Sequence, residues 1–105
     1  MAYIQEHYNE SLTLESVAAY AHLSKEHLSR EFKKYVGEGF RMHLVNIRLS
    51  KAQADLIGTD MSLLDVALKH GFPDLRSYTT AFKESFGQSP KQYRRNYKIQ
   101  HNQVN

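Results

Sequence analysis

Apolar residues recur along the chain at three- and four-residue intervals, the period of helices with one buried face. Leu14, Val17, Ala18 and Ala21 form the first such stripe, behind Thr13 as N-cap. Leu28, Phe32, Tyr35 and Val36 form the next, between Ser24 as cap and Gly37 as stop. Phe40 to Ile57 reads as one long helix with two stripes, Phe40-Leu44-Ile47-Ala54 and Val45-Leu49-Ala52-Leu56. A connector apolar on two sides is expected to pack against what lies before and after it and to hold the two at fixed spacing. Ser62 and Asp65 then form a capping box ahead of Leu63, Val66 and Ala67. Gly71 supplies a turn, and Phe72 is pushed out of helical geometry by Pro73. Asp74 caps a helix with the stripe Tyr78, Ala81, Phe82 and Phe86, closed by Gly87. A short leading helix is expected over Ala2 to Tyr8, with Tyr3, Ile4 and Tyr8 inward. Ser89-Pro90-Lys91-Gln92 opens a last helix with Pro at N1, and from Lys98 the polar tail (98–105) is expected to fray.

The stripes repeat. A shift of 49 positions sets Thr13-Leu14 on Ser62-Leu63, Val17-Ala18 on Val66-Ala67 and Leu23 on Phe72. After Pro73 the shift becomes 50, setting Ser24 on Asp74, Leu28 on Tyr78, Phe32 on Phe82, Lys33 on Lys83 and Gly37 on Gly87. Cap, apolar, Lys and Gly positions agree together, so the repeat is taken as real. Each copy is a helix, a tight turn and a helix, over 14–35 and 63–86, with the connector at 40–57 between them. His22 stands where the second copy has Gly71; His is one of the few residue types besides Gly enriched at positive φ. The chain is therefore read as all-α, one domain over 1–105, with two helix-turn-helix subdomains joined by a long connector helix.

The 105 residues carry no Cys and no Trp, which excludes a disulfide scaffold and thiolate-ligated metals and fits a reducing compartment. No apolar run is long enough for a membrane span, so no membrane partner and a cytoplasmic location are expected. The net charge of +3 is weak as a sum but not as a pattern. Residues 1–23 and 52–68 each carry −3, whereas 24–51 and 69–98 carry +4 and +5. The positive blocks coincide with the second helix of each copy.

On the helix after Ser24, the positions opposite Leu28 and Phe32 are Glu26, Arg30, Lys33 and Lys34, with Ser29 at the flank. On the helix after Asp74 they are Arg76, Thr80, Lys83 and Glu84, with Thr79 at the flank. Short polar side chains and Arg near the N-terminal turns, followed by Lys, suit insertion into a DNA major groove, Arg addressing guanine and Lys neutralising phosphate. An 18-residue connector spans about 27 Å, and successive major grooves on one DNA face lie about 34 Å apart, so the two helices could reach adjacent grooves. Their outward residues differ, so a non-palindromic site read by one monomer is expected. Arg94, Arg95 and Lys98 read equally as a solvated end or a phosphate-facing one, and Arg48 and Lys51 as approaching the DNA backbone or solvating the connector.

Other chemistries find little support. The six His (His7, His22, His27, His43, His70 and His101) include no H-E-x-x-H or His-x3-His pair, and no nucleophile elbow or Gly-rich phosphate loop occurs. No metal, cofactor or enzymatic activity is expected. Tyr3, Tyr8, Tyr20, Phe32, Tyr35, Phe40, Tyr78, Phe82, Phe86 and Tyr93 fall mostly on core stripes and read as packing rather than base-stacking residues. The alternative class is a helical protein-interaction module whose basic faces meet an acidic partner; a steep negative dependence of DNA affinity on salt separates the two.

The stretch Gly71-Phe72-Pro73-Asp74 through Phe82-Lys83, with Phe86-Gly87-Gln88-Ser89-Pro90-Lys91-Gln92-Tyr93-Arg94, resembles the signature of AraC/XylS-type transcriptional regulators. Ser24, Leu28-Ser29-Arg30-Glu31-Phe32-Lys33 and Gly37 resemble the same family's first helix-turn-helix, and the likeness covers about Tyr3 to Tyr97. It implies a seven-helix DNA-binding domain that activates or represses bacterial promoters on double-stranded DNA, with RNA polymerase as a further partner. By position it makes Arg30 the main base reader of the first copy, with Glu26 and Ser29 beside it, and sets Arg76, Ser77 and Thr80 against DNA in the second. Lys33, Lys34, Lys83, Arg94 and Arg95 are the corresponding phosphate candidates. Thr80 stands where the family often has Arg, and Arg76 where it often has a small polar residue. Most such regulators carry a sensor or receiver domain, so the chain is expected to be the DNA-binding part of a longer parent or, as the alternative, a natural single-domain regulator.

Overall fold

The structure is a computed structural model that describes residues 2–102. Seven helices and no strand occur among them: α1 (Ala2–His7), α2 (Leu14–Tyr20), α3 (Lys25–Val36), α4 (Phe40–Gly58), α5 (Leu63–Lys69), α6 (Leu75–Phe86) and α7 (Pro90–Asn102). The chain divides into two compact units, and the division falls inside α4, between Arg48 and Leu49.

In unit 1, the buried residues Ile4, Val17, Ala18, Leu28, Phe32, Leu44 and Ile47 form a core, with Tyr3, Tyr8, Leu12, Leu14 and Phe40 packed against it. The Phe32 ring meets Phe40 edge-on at 5.7 Å. In unit 2, Leu49, Ala52, Leu56, Val66, Ala67, Phe72, Tyr78 and Phe82 are buried. Its rings run in sequence, Phe72 to Tyr78 at 5.1 Å, Tyr78 to Phe82 at 5.8 Å and Phe82 to Tyr93 at 5.4 Å. The long helix thus changes allegiance: Leu44 and Ile47 serve the first core, and Leu49, Ala52 and Leu56 are buried in unit 2. Neither expected stripe runs the whole length, for Ala54 is exposed and Val45 only half-buried.

The repeat is visible bond by bond. The Thr13 hydroxyl accepts from the Ser16 N–H at 3.0 Å, and the Ser62 hydroxyl from the Asp65 N–H at 3.0 Å. The Ser16 hydroxyl also receives the Thr13 N–H, completing a capping box in the first copy, whereas at Ser62 the structure records only the forward bond. Each tight turn closes on the small residue of the preceding helix, Leu23 N–H on the Ala18 carbonyl at 2.9 Å and Phe72 N–H on the Ala67 carbonyl at 3.0 Å. The residue that turns the chain has positive φ in both, His22 at 57° and Gly71 at 94°. Ser24 and Asp74 then cap α3 and α6, accepting from His27 N–H and Ser77 N–H.

The repeat also runs further than the sequence suggests. Asn46 on α4 donates its side-chain amide to Glu38 at 3.2 Å, and Asn96 on α7 donates to Gln88 at 3.0 Å, again 50 positions apart. The start of α7 is therefore the counterpart of the start of α4. The helix expected to fray from Lys98 continues to Asn102, and residues 103–105 of that tail lie outside the described residues.

Several aromatic assignments need correction. Tyr35 and Val36 close the last turn of α3 on its solvent side; Tyr35 is 75% exposed, with the Lys34 ammonium 5.3 Å from its ring centre. Tyr20 is 62% exposed because it stacks on Tyr3 at 3.9 Å outside the core, and Phe86 is also part-exposed.

Candidate nucleic-acid interface

Helices α3 and α6 are twelve residues each and strongly two-faced. Leu28 and Phe32 bury one face of α3, and Tyr78 and Phe82 bury one face of α6, which fixes by the helical period what each helix turns outward. On α3 that outer face holds Glu26, Ser29, Arg30, Lys33 and Lys34, all exposed. On α6 Arg76, Thr80 and Lys83 are exposed, while Ser77 is half-buried and donates its N–H to the Asp74 carboxylate at 2.7 Å.

Where cations find partners separates scaffold from free surface. Lys25 pairs with Glu15 at 2.9 Å, Lys69 with Asp55 at 2.8 Å and Lys98 with Asp60 at 2.9 Å. Each ammonium holds its carboxylate below the usual range, chiefly through that hydrogen bond. By contrast, Arg30, Lys33, Arg76 and Lys83 make no ion pair among the described residues. The basic groups on the outer faces of α3 and α6 are thus available to an external anion.

Arg94 does not belong with them. Its Nε donates to the Leu56 carbonyl at 2.7 Å, Nη1 to the Met61 carbonyl at 2.7 Å and Nη2 to the Asp55 carbonyl at 3.5 Å. The fork satisfies carbonyls at the end of α4 and in the loop that follows, so Arg94 is a scaffold residue and not a freely solvated end. The extended repeat explains why: 50 positions earlier stands Leu44, a core residue of unit 1, so position 94 faces inward. Arg95, its neighbour, is exposed. Arg48 has a like role in unit 1, donating to the carbonyls of Tyr8 and Glu10, both at 2.8 Å.

No group of three or more His, Cys, Asp or Glu side chains that could hold a metal occurs among the described residues. No helix among them is long and apolar enough to cross a membrane.

Residues 17–96 match the helix-turn-helix domain family. An uncharacterized HTH-type transcriptional regulator of Staphylococcus aureus (strain MSSA476) is 39% identical over 92 residues, covering 88% of this chain and 12% of the regulator. The chain thus spans about an eighth of that curated relative's length. Among solved structures, the C-terminal domain of AraT, a response regulator from Geobacillus stearothermophilus, is similar at 40% identity and TM-score 0.86, covering 90% of this chain and 79% of that one. The DNA-binding domain of AdpA, a global transcriptional factor solved with a target DNA, is similar at 30% identity and TM-score 0.92, covering 97% and 92%. Two helix-turn-helix copies, their caps and turns, and these likenesses together make the chain a member of the AraC-type helix-turn-helix family, the DNA-binding domains of transcriptional regulators rather than enzymes.

Proposed function

We propose that the chain binds double-stranded DNA sequence-specifically as the output domain of a bacterial transcriptional regulator, α3 and α6 reading adjacent major grooves. The observation that carries this is the pair of capped helices whose outward cations make no ion pair among the described residues. The likeness to a domain solved on its target DNA supports it. Arg30 is the main base reader of α3, with Glu26 and Ser29 beside it; Arg76, Thr80 and the part-shielded Ser77 read bases from α6. Lys33, Lys34, Lys83 and Arg95 meet phosphates. The functional organisation is the one the sequence suggests: helix-turn-helix copies at 14–35 and 63–86, joined by the 40–57 connector. The parent regulator adds a sensor or receiver domain, acts in the cytoplasm and contacts RNA polymerase.

The test is selection from a random pool of duplex DNA, followed by a salt titration on the recovered sequence. The expected result is an asymmetric site with two half-sites about one helical turn apart and a steep negative salt slope. Recovery of no consensus, with no duplex binding at low salt, would return the basic faces to an acidic protein partner.

A further inference from the structure

Among the described residues, one imidazole is buried outright: His70, 5% exposed, at the C-cap of α5. A carboxylate only accepts, so its Nε2–H donates to Asp55 Oδ2 on α4, at 2.7 Å. Lys69 Nζ reaches the same oxygen at 2.8 Å. From α7, Arg94 sets its guanidinium on the backbone carbonyls of Leu56 and Asp55, next to the carboxylate that Lys69 and His70 share.

The location gives this cluster its interest. Gly71 turns the chain immediately after His70, Phe72 packs its ring 5.1 Å from Tyr78 of α6, and Asp74 caps α6. The imidazole is thus anchored at the hinge from which the second recognition helix departs. Unit 1 supplies an internal control. The residues 49 positions before Asp55, Lys69 and His70 are Glu6, Tyr20 and Ala21, and Glu6 and Tyr20 are both exposed. There the leading helix meets the end of α2 through the Tyr3–Tyr20 stack instead. The helix-turn-helix therefore forms without the Asp–His pair. Withdrawing a carboxylate and an imidazole from water is costly, and apolar packing would stabilise the contact as well. What the polar pair adds is direction: a short, charge-assisted hydrogen bond holds one geometry where apolar contacts slide.

We propose that Asp55 and His70 are positioning residues for DNA recognition, a bond from α4 to the α5–α6 turn that sets the aim of α6 and so the selectivity of the half-site it reads. This rests on the DNA-binding function proposed above. The experiment measures binding of the wild-type chain, Asp55→Asn, His70→Asn and the double variant by fluorescence anisotropy. The probes are the duplex recovered by selection with the wild type and two copies of it, each with one half-site scrambled. For Asp55→Asn, the preference for the intact α6 half-site should fall from about tenfold or more to about twofold, while the α3 half-site keeps its preference. The double variant should lose no more than Asp55→Asn alone, since that substitution already takes the carboxylate from His70 and Lys69 together. Equal losses at both half-sites, no loss at either, or additive losses would overturn the proposal. Should Asp55→Asn not fold, His70→Ala, which installs the unit 1 residue, carries the same expectation. Wild-type failure to bind any duplex is a different result: it removes the DNA-binding function itself.

Discussion

Arg30 stands exposed on α3 with no ion pair among the described residues, so its truncation removes an external contact and little else. Arg30→Ala is expected to cost about 1–3 kcal/mol on the selected duplex and to relax preference at one base pair, as read by competition with single-base variants. Arg94 is the reverse case. Arg94→Ala removes the guanidinium from the Leu56 and Met61 carbonyls, while the Asp55 carbonyl keeps the Thr59 hydroxyl, and should destabilise the fold by about 2–3 kcal/mol in urea titrations, with the salt slope of DNA binding unchanged. His22 holds positive φ without being glycine, and His22→Gly should raise stability by about 0.5–1 kcal/mol. Tyr78 shows a different strain. Its hydroxyl is buried with no hydrogen-bond partner among the described residues, and burial pushes its pKa up to about 12. Tyr78→Phe should therefore be neutral or stabilising by about 1 kcal/mol in thermal unfolding.

At the scale of elements, the caps carry the testable chemistry. The Ser77 N–H on the Asp74 carboxylate holds that carboxyl below the usual range. Its folded pKa lies under the unfolded one, so the cap's contribution is present above about pH 4 and is lost as pH falls through the folded value. Asp74→Ser keeps an acceptor but cannot titrate, and should flatten the acid limb of a stability–pH curve measured by urea midpoints. Caps, turns and stripes were legible in the sequence because each is local: Thr13, Ser24, Ser62 and Asp74 all cap as expected, and His22 turns like Gly71. What was not legible depended on how far a stripe continues. Tyr35 keeps the helical period of Leu28 and Phe32 but lies past the last core layer, where periodicity alone cannot tell inside from out. The inward setting of Arg94 had a signal in the sequence: carrying the repeat register beyond Gly87 places it on Leu44.

For the whole molecule, the charge pattern becomes a division of labour. The acidic blocks hold scaffold partners, Glu15 for Lys25, Asp55 for Lys69 and Asp60 for Lys98, while Arg30 and Lys33 of α3 and Arg76 and Lys83 of α6 make no ion pair among the described residues. Lys33→Ala and Lys83→Ala should each weaken all duplexes evenly and reduce the salt slope by about one. The sequence alone carried the family, the seven elements and the outward faces. It did not carry the second-unit Asp55–His70 bond, which joins residues 15 apart through tertiary packing and leaves no local pattern.

Leu49 and Ile99 are equivalent by the extended repeat, yet they fare differently. Leu49 is 3% exposed where unit 2 begins, whereas Ile99 is 47% exposed on α7. One closing helix doubles as the opening helix of the next unit, and the other already carries the first residue such a unit would need. The architecture is therefore a concatenable module. Grafting residues 50–102 after Ile99 should yield a third helix-turn-helix whose folding buries that side chain, and with it a protein that reads a longer stretch of DNA from a single chain.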